Sequence, residues 1–473
     1  MTSIDPSSAP IRIAVIGSGP AGAFTAGQLL GLLPPGGFAH AAPPENVHVD
    51  LFERLPTPWG LVRAGVAPDH AKIKTVTGLF EGMAADPRFR LYANVELGRD
   101  ISVADLRERY GAIVYAVGAP LDRPLGIPGE DLERSYAATD FVGWYNGHPE
   151  YRDLSFDLGG RRAVIVGAGN VAFDVARILL LPPEELRATD IADHALTALA
   201  DSKIEEVVIT ARRGAKEATF TPPELRELAE VDGVDLIVDA EEIARAGETL
   251  AEPVPDPNSW RNLAKLQAYA VAAPTGAPRR AAIRFFLSPE EILGKDGAVS
   301  GVRFVRTSLV RDAAGTLRAV TTGERVSLDA DLVLHAVGYR GREIEGVPFD
   351  PATGIVSNED GRVVDRDGPR LGEYAVGWAK RGPSGVIGTN KLDAAGVVDH
   401  IVADVAAGRV LSPGAFDDAE IDAFVRSRHG QVVDHPAWTR LDEHERRQGL
   451  PQGRPRRKLT DVDEMLGVAV GDA

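Results

Sequence analysis

Apolar residues along this chain come in short blocks whose spacing switches between the strand and helix periods. Residues 11–16 form an almost unbroken apolar run that ends at Gly17, which predicts a strand buried within a parallel sheet. A helix is expected from about residue 21 to 33, followed by a loop rich in Pro, Gly and Ala over residues 34–44. A second strand follows over residues 47–52, with Glu53 at its end. Further strand-like runs lie at 113–117, 163–166, 207–210, 332–336 and 374–376. Helical periodicity is clearest over 171–181, 222–230 and 394–407. Strands alternating with helices predict an α/β architecture built on parallel sheets.

Two strand–glycine–helix units, beginning at Ile11 and Arg161, divide the chain into halves of similar logic. The stretch 121–160, with Pro124, Pro128, Gly129, Gly159 and Gly160, suits a crossover between them. The second unit is therefore expected as an insertion into the first, with the return near residues 338–341. The charged tail from residue 437 to 473 reads as a partly helical surface arm.

Composition narrows the picture. The 473 residues, 44% hydrophobic and 26% charged, are those of an ordinary globular protein of two or three domains. There is no cysteine, which excludes disulfides, a dithiol active site and a cysteine-ligated cluster on this chain. The net charge of −17 argues against nucleic acid as a partner. Apolar stretches are cut by Pro or Gly, as over residues 29–35, and none reaches the ~20 residues of a membrane span. Met1 to Pro10 contains no Lys or Arg, so neither a secretory nor a transit signal is expected, and a cytoplasmic location is the default.

The motif Gly17-Ser18-Gly19-Pro20-Ala21-Gly22 follows a predicted strand and opens a predicted helix. In that setting Gly17 makes the tight turn, Gly19 lets the backbone approach a pyrophosphate, and Gly22 lets helix and strand pack closely. The helix N-terminus offers free N–H groups to the phosphates. Glu53 stands where a carboxylate can accept a bond from a ribose hydroxyl. Its distance from Gly17 exceeds the usual ~20 residues because of the intervening Pro/Gly loop.

The second copy is Gly167-Ala168-Gly169-Asn170-Val171-Ala172. Here the next strand runs into Arg212-Arg213-Gly214, and no acid closes it. A carboxylate would repel a 2′-phosphate, whereas guanidinium groups bind it through charged hydrogen bonds, so this site favours NADP over NAD.

The whole pattern resembles the adrenodoxin reductase-type ferredoxin–NADP reductases, in particular their actinobacterial members. The resemblance rests on residues 53–63 (ERLPTPWGLVR), 65–70 (GVAPDH), 166–177 (VGAGNVAFDVAR), 212–214 (RRG), 220–227 (FTPPELRE) and 377–390 (GWAKRGPSGVIGTN). Many related flavoproteins carry Gly-Asp where this chain has Gly377-Trp378. The resemblance implies two Rossmann-like dinucleotide-binding domains, the NADP domain (120–337) inserted into an FAD domain (1–119 and 338–473). It implies hydride transfer from NADPH to FAD and then single-electron transfer to a small acidic ferredoxin.

By resemblance, FAD contacts fall on Gly19, Ala21, Glu53, Leu61, Trp378 and Gly385, Val386 and Ile387. NADPH contacts fall on Arg123, Asn170, Val171, Arg212, Arg213 and Glu224. Gly385 also lies in a Gly-rich loop whose N–H groups suit the edge of a flavin ring. Trp378 reads either as a partner for a planar ring or as a core tryptophan. Glu224, just after Pro222-Pro223, reads equally as a first-turn acid favoured by the helix dipole. His70 and Glu227 match positions near the nicotinamide, where they would orient its carboxamide or tune flavin protonation. Hydride transfer needs no protein nucleophile, so the protein's task is position and electrostatics. The ten histidines include no HExxH or paired spacing, so no metal site is expected. Arg279, Arg280, Lys380 and Arg381 are candidate docking cations for an acidic acceptor. An NADPH-dependent flavin monooxygenase, a general diaphorase and a non-catalytic flavin sensor are the competing readings.

Overall fold

In the computed structural model, residues 10–34, 36, 40–248, 257–313 and 315–471 are described. The N-terminal segment 1–9 and part of the loop expected over 34–44 lie outside them. The chain falls into two compact units. The first comprises residues up to Val66, His70–Leu121 and Tyr339–Ala473; the second comprises Ala67–Asp69 and Asp122–Gly338.

The first unit is built on a seven-stranded sheet. Its order is Asn358–Glu359, Arg362–Asp365, Gly368–Ala375, Ala112–Tyr115, Ile11–Ile16, Val47–Glu53, Phe89–Ala93. The last five are parallel, and the first two extend the sheet antiparallel at one edge. Ile11–Ile16 sits between two neighbours, and Ile13, Ala14 and Val15 are fully buried. Ile13 and Val15 face one core, with Phe24, Leu51 and Val398. Ala14 and Ile16 face the other, with Phe52, Tyr110 and Ile113, as the two-residue side-chain period requires.

The first helix is Pro20–Leu29, shorter than expected. Gly31 takes φ +71, and the N–H groups of Leu32 and Leu33 bond the carbonyl of Gly27, closing the helix before its apolar pattern ends. The helix that packs on it, Ile387–Ala406, begins seven residues before the expected 394. Its first turns, with Gly388, Thr389 and Lys391, lack the apolar stripe that betrays a helix in sequence.

The tail is not a surface arm. Helices His435–Gly449 and Val462–Ala469 place Trp438, Leu441, Met465 and Ala469 in the core of the first unit. In His435–Gly449 the many charged and polar residues masked the apolar face that anchors it.

The second unit carries a six-stranded parallel sheet in the order Ser135–Ala137, Leu332–His335, Arg162–Val166, Glu206–Thr210, Arg279–Arg284, Val234–Val238. Beside this expected parallel sheet stands one that the sequence reading did not name. Leu287–Lys295, Ala298–Arg311 and Leu317–Asp329 form a three-stranded antiparallel sheet. Its sequence signal was alternation rather than an apolar run: Val302 and Phe304 are buried, with the partly exposed Arg303 between them. The outer strand Leu317–Asp329 buries no residue on either face, so nothing in its composition marked it.

Within the second unit Asp122 lies beside Asp140. Burial, then the charge of Asp140, pushes its carboxyl up to about 7. The folded protein therefore holds a proton that the unfolded chain releases near 4, and stability falls as pH rises from about 4 to 7. Asp122→Asn is expected to raise the melting temperature at pH 8 and to change nothing at pH 4. A gain equal at both pH values in a thermal scan would refute this.

Candidate dinucleotide sites

At the first glycine loop the backbone leaves no alternative to glycine at two positions. Gly17 has φ +105, and a Cβ there would lie 2.5 Å from the carbonyl oxygen of Ala116. A Cβ on Gly22 would lie 1.9 Å from the carbonyl oxygen of Gly17, so helix and strand touch at that point. Gly19 differs: nothing lies within 4 Å of a Cβ built on it, and its backbone faces open space. The helix behind it starts with Pro20 and has no acid in its own first turn, so its positive end is not neutralised from within the helix. This arrangement fits a pyrophosphate.

Glu53 is buried at the strand end. Its Oε2 accepts from the Ser18 hydroxyl (2.6 Å) and N–H (3.2 Å), and its Oε1 accepts from the Leu55 N–H (3.0 Å). The carboxylate is thus fixed to the glycine loop itself, with lone pairs left for a ribose hydroxyl.

Three residues that sequence reasoning passed over shape this site. Trp59 is held at φ +78, and its N–H donates to the Ser18 hydroxyl at 3.0 Å. A Cβ on Gly60 would lie 2.9 Å from the Cα of Gly19, so the turn rests directly on the glycine loop. Glu81 accepts the Trp59 indole N–H at 2.7 Å. Leu61 opens the one-turn helix Leu61–Ala64 that follows, with its side chain exposed.

A second turn closes on the loop from the far end of the chain. Gly377 takes φ +68, its N–H donates to Asp393 at 2.6 Å, and a Cβ there would lie 2.4 Å from the Cβ of Ala21. Trp378 packs against Tyr339 (ring centroids 5.4 Å apart) and donates to the carbonyl of Ser384 at 3.1 Å. Gly385 has φ +80, and a Cβ there would lie 2.7 Å from Thr389 Oγ1. The Val386 N–H is taken by Thr389 Oγ1 at 3.1 Å. Of the N–H groups expected for a ring edge, that one is already used.

The second glycine loop repeats the logic inside the other unit. Gly167 has φ +125, with a Cβ position 2.2 Å from the carbonyl oxygen of Ala336. Gly169 N-caps the helix Asn170–Leu180, again without an acid in its first turn, and Ala172 is fully buried in the third slot. Asn170 Oδ1 accepts from the Thr221 N–H at 2.9 Å, tying this loop to the helix Pro222–Ala229. Val171 packs against the core beside it.

Arg212 and Arg213 follow the strand Glu206–Thr210. Their carbonyls are pinned, Arg212 by Thr307 Oγ1 (2.7 Å) and Arg213 by the Phe286 N–H (3.2 Å). Among the described residues neither guanidinium has an ion pair or hydrogen bond, and the Arg213 Nε is buried with no partner. Two guanidinium groups with no internal partner thus stand at the end of this strand, chemically suited to an anion. Arg123 is exposed, its N–H bonded to the Gly338 carbonyl at 3.0 Å.

Glu224 occupies the first turn of its helix but faces inward. Its Oε2 lies 3.3 Å from Arg177, which is 2% exposed. Arg177 also donates to Asp69 (2.6 Å) and Asp174 (2.7 Å), with Glu227 at 3.9 Å. Burial and the negative charge of Asp174 push the Glu224 carboxyl upward. His70 N-caps the short helix Ala71–Lys74 in the first unit, half-buried.

The expected docking cations are bonded within their own units. Arg279 donates to the carbonyls of Leu180 and Asp232, and Arg280 lies 3.8 Å from Glu206. Lys380 bridges Asp360 and Asp393 at 3.2 Å each, and Arg381 donates to the Ser384 carbonyl and to Asn390. Among the described residues no helix is long and apolar enough to cross a membrane.

Two glycine loops, each at a strand-to-helix turn of its own parallel sheet, define a two-dinucleotide oxidoreductase. No protein-family profile matches the chain. Individual relatives do. The NADPH-ferredoxin reductase FprA of Mycobacterium leprae is 46% identical over 469 residues, covering 97% of this chain and 98% of its own. The mitochondrial NADPH:adrenodoxin oxidoreductase of Arabidopsis thaliana is 39% identical, covering 98% and 96%. The structure of Mycobacterium tuberculosis FprA in complex with NADPH superposes with a TM-score of 0.88 at 45% identity, covering 98% of this chain and all of that one. This chain belongs to the NADPH-ferredoxin reductase family.

Proposed function

We propose that this chain oxidises NADPH and passes the electrons singly to a small acidic iron–sulfur ferredoxin, in the cytoplasm. In this reading residues 1–119 and 338–473 hold FAD and residues 120–337 hold NADP. The observation in this chain that carries it is the pair of pinned, unpartnered arginines, Arg212 and Arg213, where an NAD site would place an acid. The likeness to NADPH-ferredoxin reductases over nearly the full length supports it.

FAD supplies a two-electron acceptor that can release electrons one at a time. The protein's part is to bind and orient. Gly17 and Gly22 would shape the turn, Gly19 and Ala21 at the helix start would face a pyrophosphate, Glu53 would take a ribose hydroxyl, and Leu61, Trp378 and residues 385–387 would contact the flavin. Gly169, Asn170 and Val171 hold the second pyrophosphate, Arg212 and Arg213 the 2′-phosphate, with Arg123 assisting. Glu224 acts through Arg177 rather than as an exposed contact. His70 and Glu227 are assigned to orienting the nicotinamide carboxamide.

Stopped-flow mixing with NADPH and NADH, then with a panel of ferredoxins, tests the proposal. Fast flavin reduction by NADPH and ferredoxin-dependent turnover are expected. Oxygen use driven by an organic substrate instead would favour a monooxygenase, and binding of FAD without rapid reduction would favour a sensor. Ferredoxin reduction should slow as salt rises, because exposed charges are screened beyond ~8 Å at physiological ionic strength. A rate independent of salt would count against an acidic partner.

A further inference from the structure

We infer that the tail helix His435–Gly449 latches the turn at residues 59–64 onto the first glycine loop, with Glu445 and Glu81 as positioning residues for the bound flavin nucleotide. The inference rests on the proposal that the first unit holds FAD.

Glu445 is a carboxylate at 0% exposure, and a buried charge is tolerated only when it is paired and fully hydrogen-bonded. Its partners are those of a clamp. Arg63 binds it through both terminal nitrogens (2.6 and 2.8 Å), the Leu459 N–H donates at 2.8 Å, and Arg456 lies at 3.3 Å. Lys458 Nζ donates to the backbone carbonyl of Arg63 at 2.9 Å, so the tail holds Arg63 by its side chain and by its main chain. Arg63 belongs to the helix Leu61–Ala64, only four residues long. A single turn has no stability of its own and stays where its partners hold it.

The same helix grips the other end of the turn. Trp438 lies two helical turns before Glu445, on the same face, and its indole N–H donates to Glu81 Oε1 at 2.8 Å. The Trp59 indole donates to that same oxygen at 2.7 Å, and His435 lies 3.0 Å from the other. Burial alone would raise the Glu81 carboxyl, but the three donors outweigh it and hold it below the usual range. Trp59 is at φ +78, a conformation that a non-glycine residue keeps only when its surroundings enforce it.

Both grips meet at the glycine loop. The Trp59 N–H bonds Ser18, Ser18 bonds Glu53, and the backbone of Gly60 lies so close to the Cα of Gly19 that residue 60 has no room for a side chain. Loosening either carboxylate frees the turn that covers this loop.

The test compares Glu445→Gln and Glu81→Gln with Met465→Ala, a tail variant that opens the core but removes none of the hydrogen bonds to Glu445 or Glu81. FAD release from the holoprotein is followed by the fluorescence of freed flavin, with visible circular dichroism of the bound flavin and thermal unfolding of each apoprotein. The two carboxylate variants are expected to release FAD about tenfold faster or more, the factor for losing a charged hydrogen bond, and to change the flavin dichroism. Met465→Ala should melt earlier yet release FAD at the wild-type rate. Arg63→Lys keeps the charge and loses the fork, so it should fall between wild type and Glu445→Gln, and it serves if Glu445→Gln does not fold. Wild-type release in the carboxylate and Arg63→Lys variants overturns the latch, as does release that simply follows melting temperature across all of them. A wild-type apoprotein that takes up no FAD overturns the cofactor proposal itself.

Discussion

Arg177→Met is expected to destabilise the protein by about 3–5 kcal/mol, the cost of leaving buried charges without their partner. Arg177 is 2% exposed and serves Asp69, Asp174 and Glu224 at once. Burial opposes its charge, but Asp69 and Asp174 outweigh that penalty and hold the guanidinium ionised. Removing it leaves three carboxylates to repel one another in a desolvated place. They can be relieved only by taking up protons, so their folded-state pKa values rise above the unfolded ones. The variant should therefore lose stability as pH rises and recover part of it towards pH 5. Arg177→Lys keeps the charge but cannot reach three partners with a planar fork, and should fall between the two. Urea unfolding of the three proteins at pH 5 and pH 8 measures this. A variant within 1 kcal/mol of wild type at pH 8 would show that the cluster is solvated.

Arg212→Ala and Arg213→Ala are each expected to cut kcat/KM for NADPH by about ten- to a hundredfold and to leave NADH use nearly unchanged. A charged hydrogen bond to a phosphate contributes roughly 1.5–3 kcal/mol, and NADH has no 2′-phosphate to receive it. The phosphate is remote from the reacting C4 of the nicotinamide, so the loss should appear mostly in KM. The structure adds a second expectation that separates this site from Arg177. The Arg213 Nε is buried without a partner, so its removal breaks no internal bond and the melting temperature should hold. Steady-state kinetics with both nucleotides at saturating acceptor decide it. If the NADPH/NADH ratio survives in both variants, the arginines are a solvated turn.

The contrast between these arginines marks what could be read in advance. The role proposed for Arg212 and Arg213 could be suggested from sequence because its signal is local: a strand, two cations, and no acid. That of Arg177 could not, because its partner Asp69 lies 108 positions away. The Glu445–Arg63 pair spans 382 positions, and Glu445 sits in a stretch whose composition looks like solvated surface. The antiparallel strands of the second unit escaped for a related reason. The outermost buries nothing and is defined by its neighbour's hydrogen bonds rather than by its own apolar pattern.

By itself, the sequence determined the two strand–glycine–helix units and the residues that make them. Gly17, Gly22 and Gly167 answer to steric conditions set within a few residues of backbone and the strand alongside. Apolar runs such as residues 11–16 carry their own burial. The tertiary structure alone decided which charges go inside. Burial of an ion is tolerated only where distant segments deliver its counter-charge and its hydrogen bonds together, and no local pattern encodes that meeting. Glu445, Glu81 and Arg177 are charged residues like dozens of others until the fold closes around them.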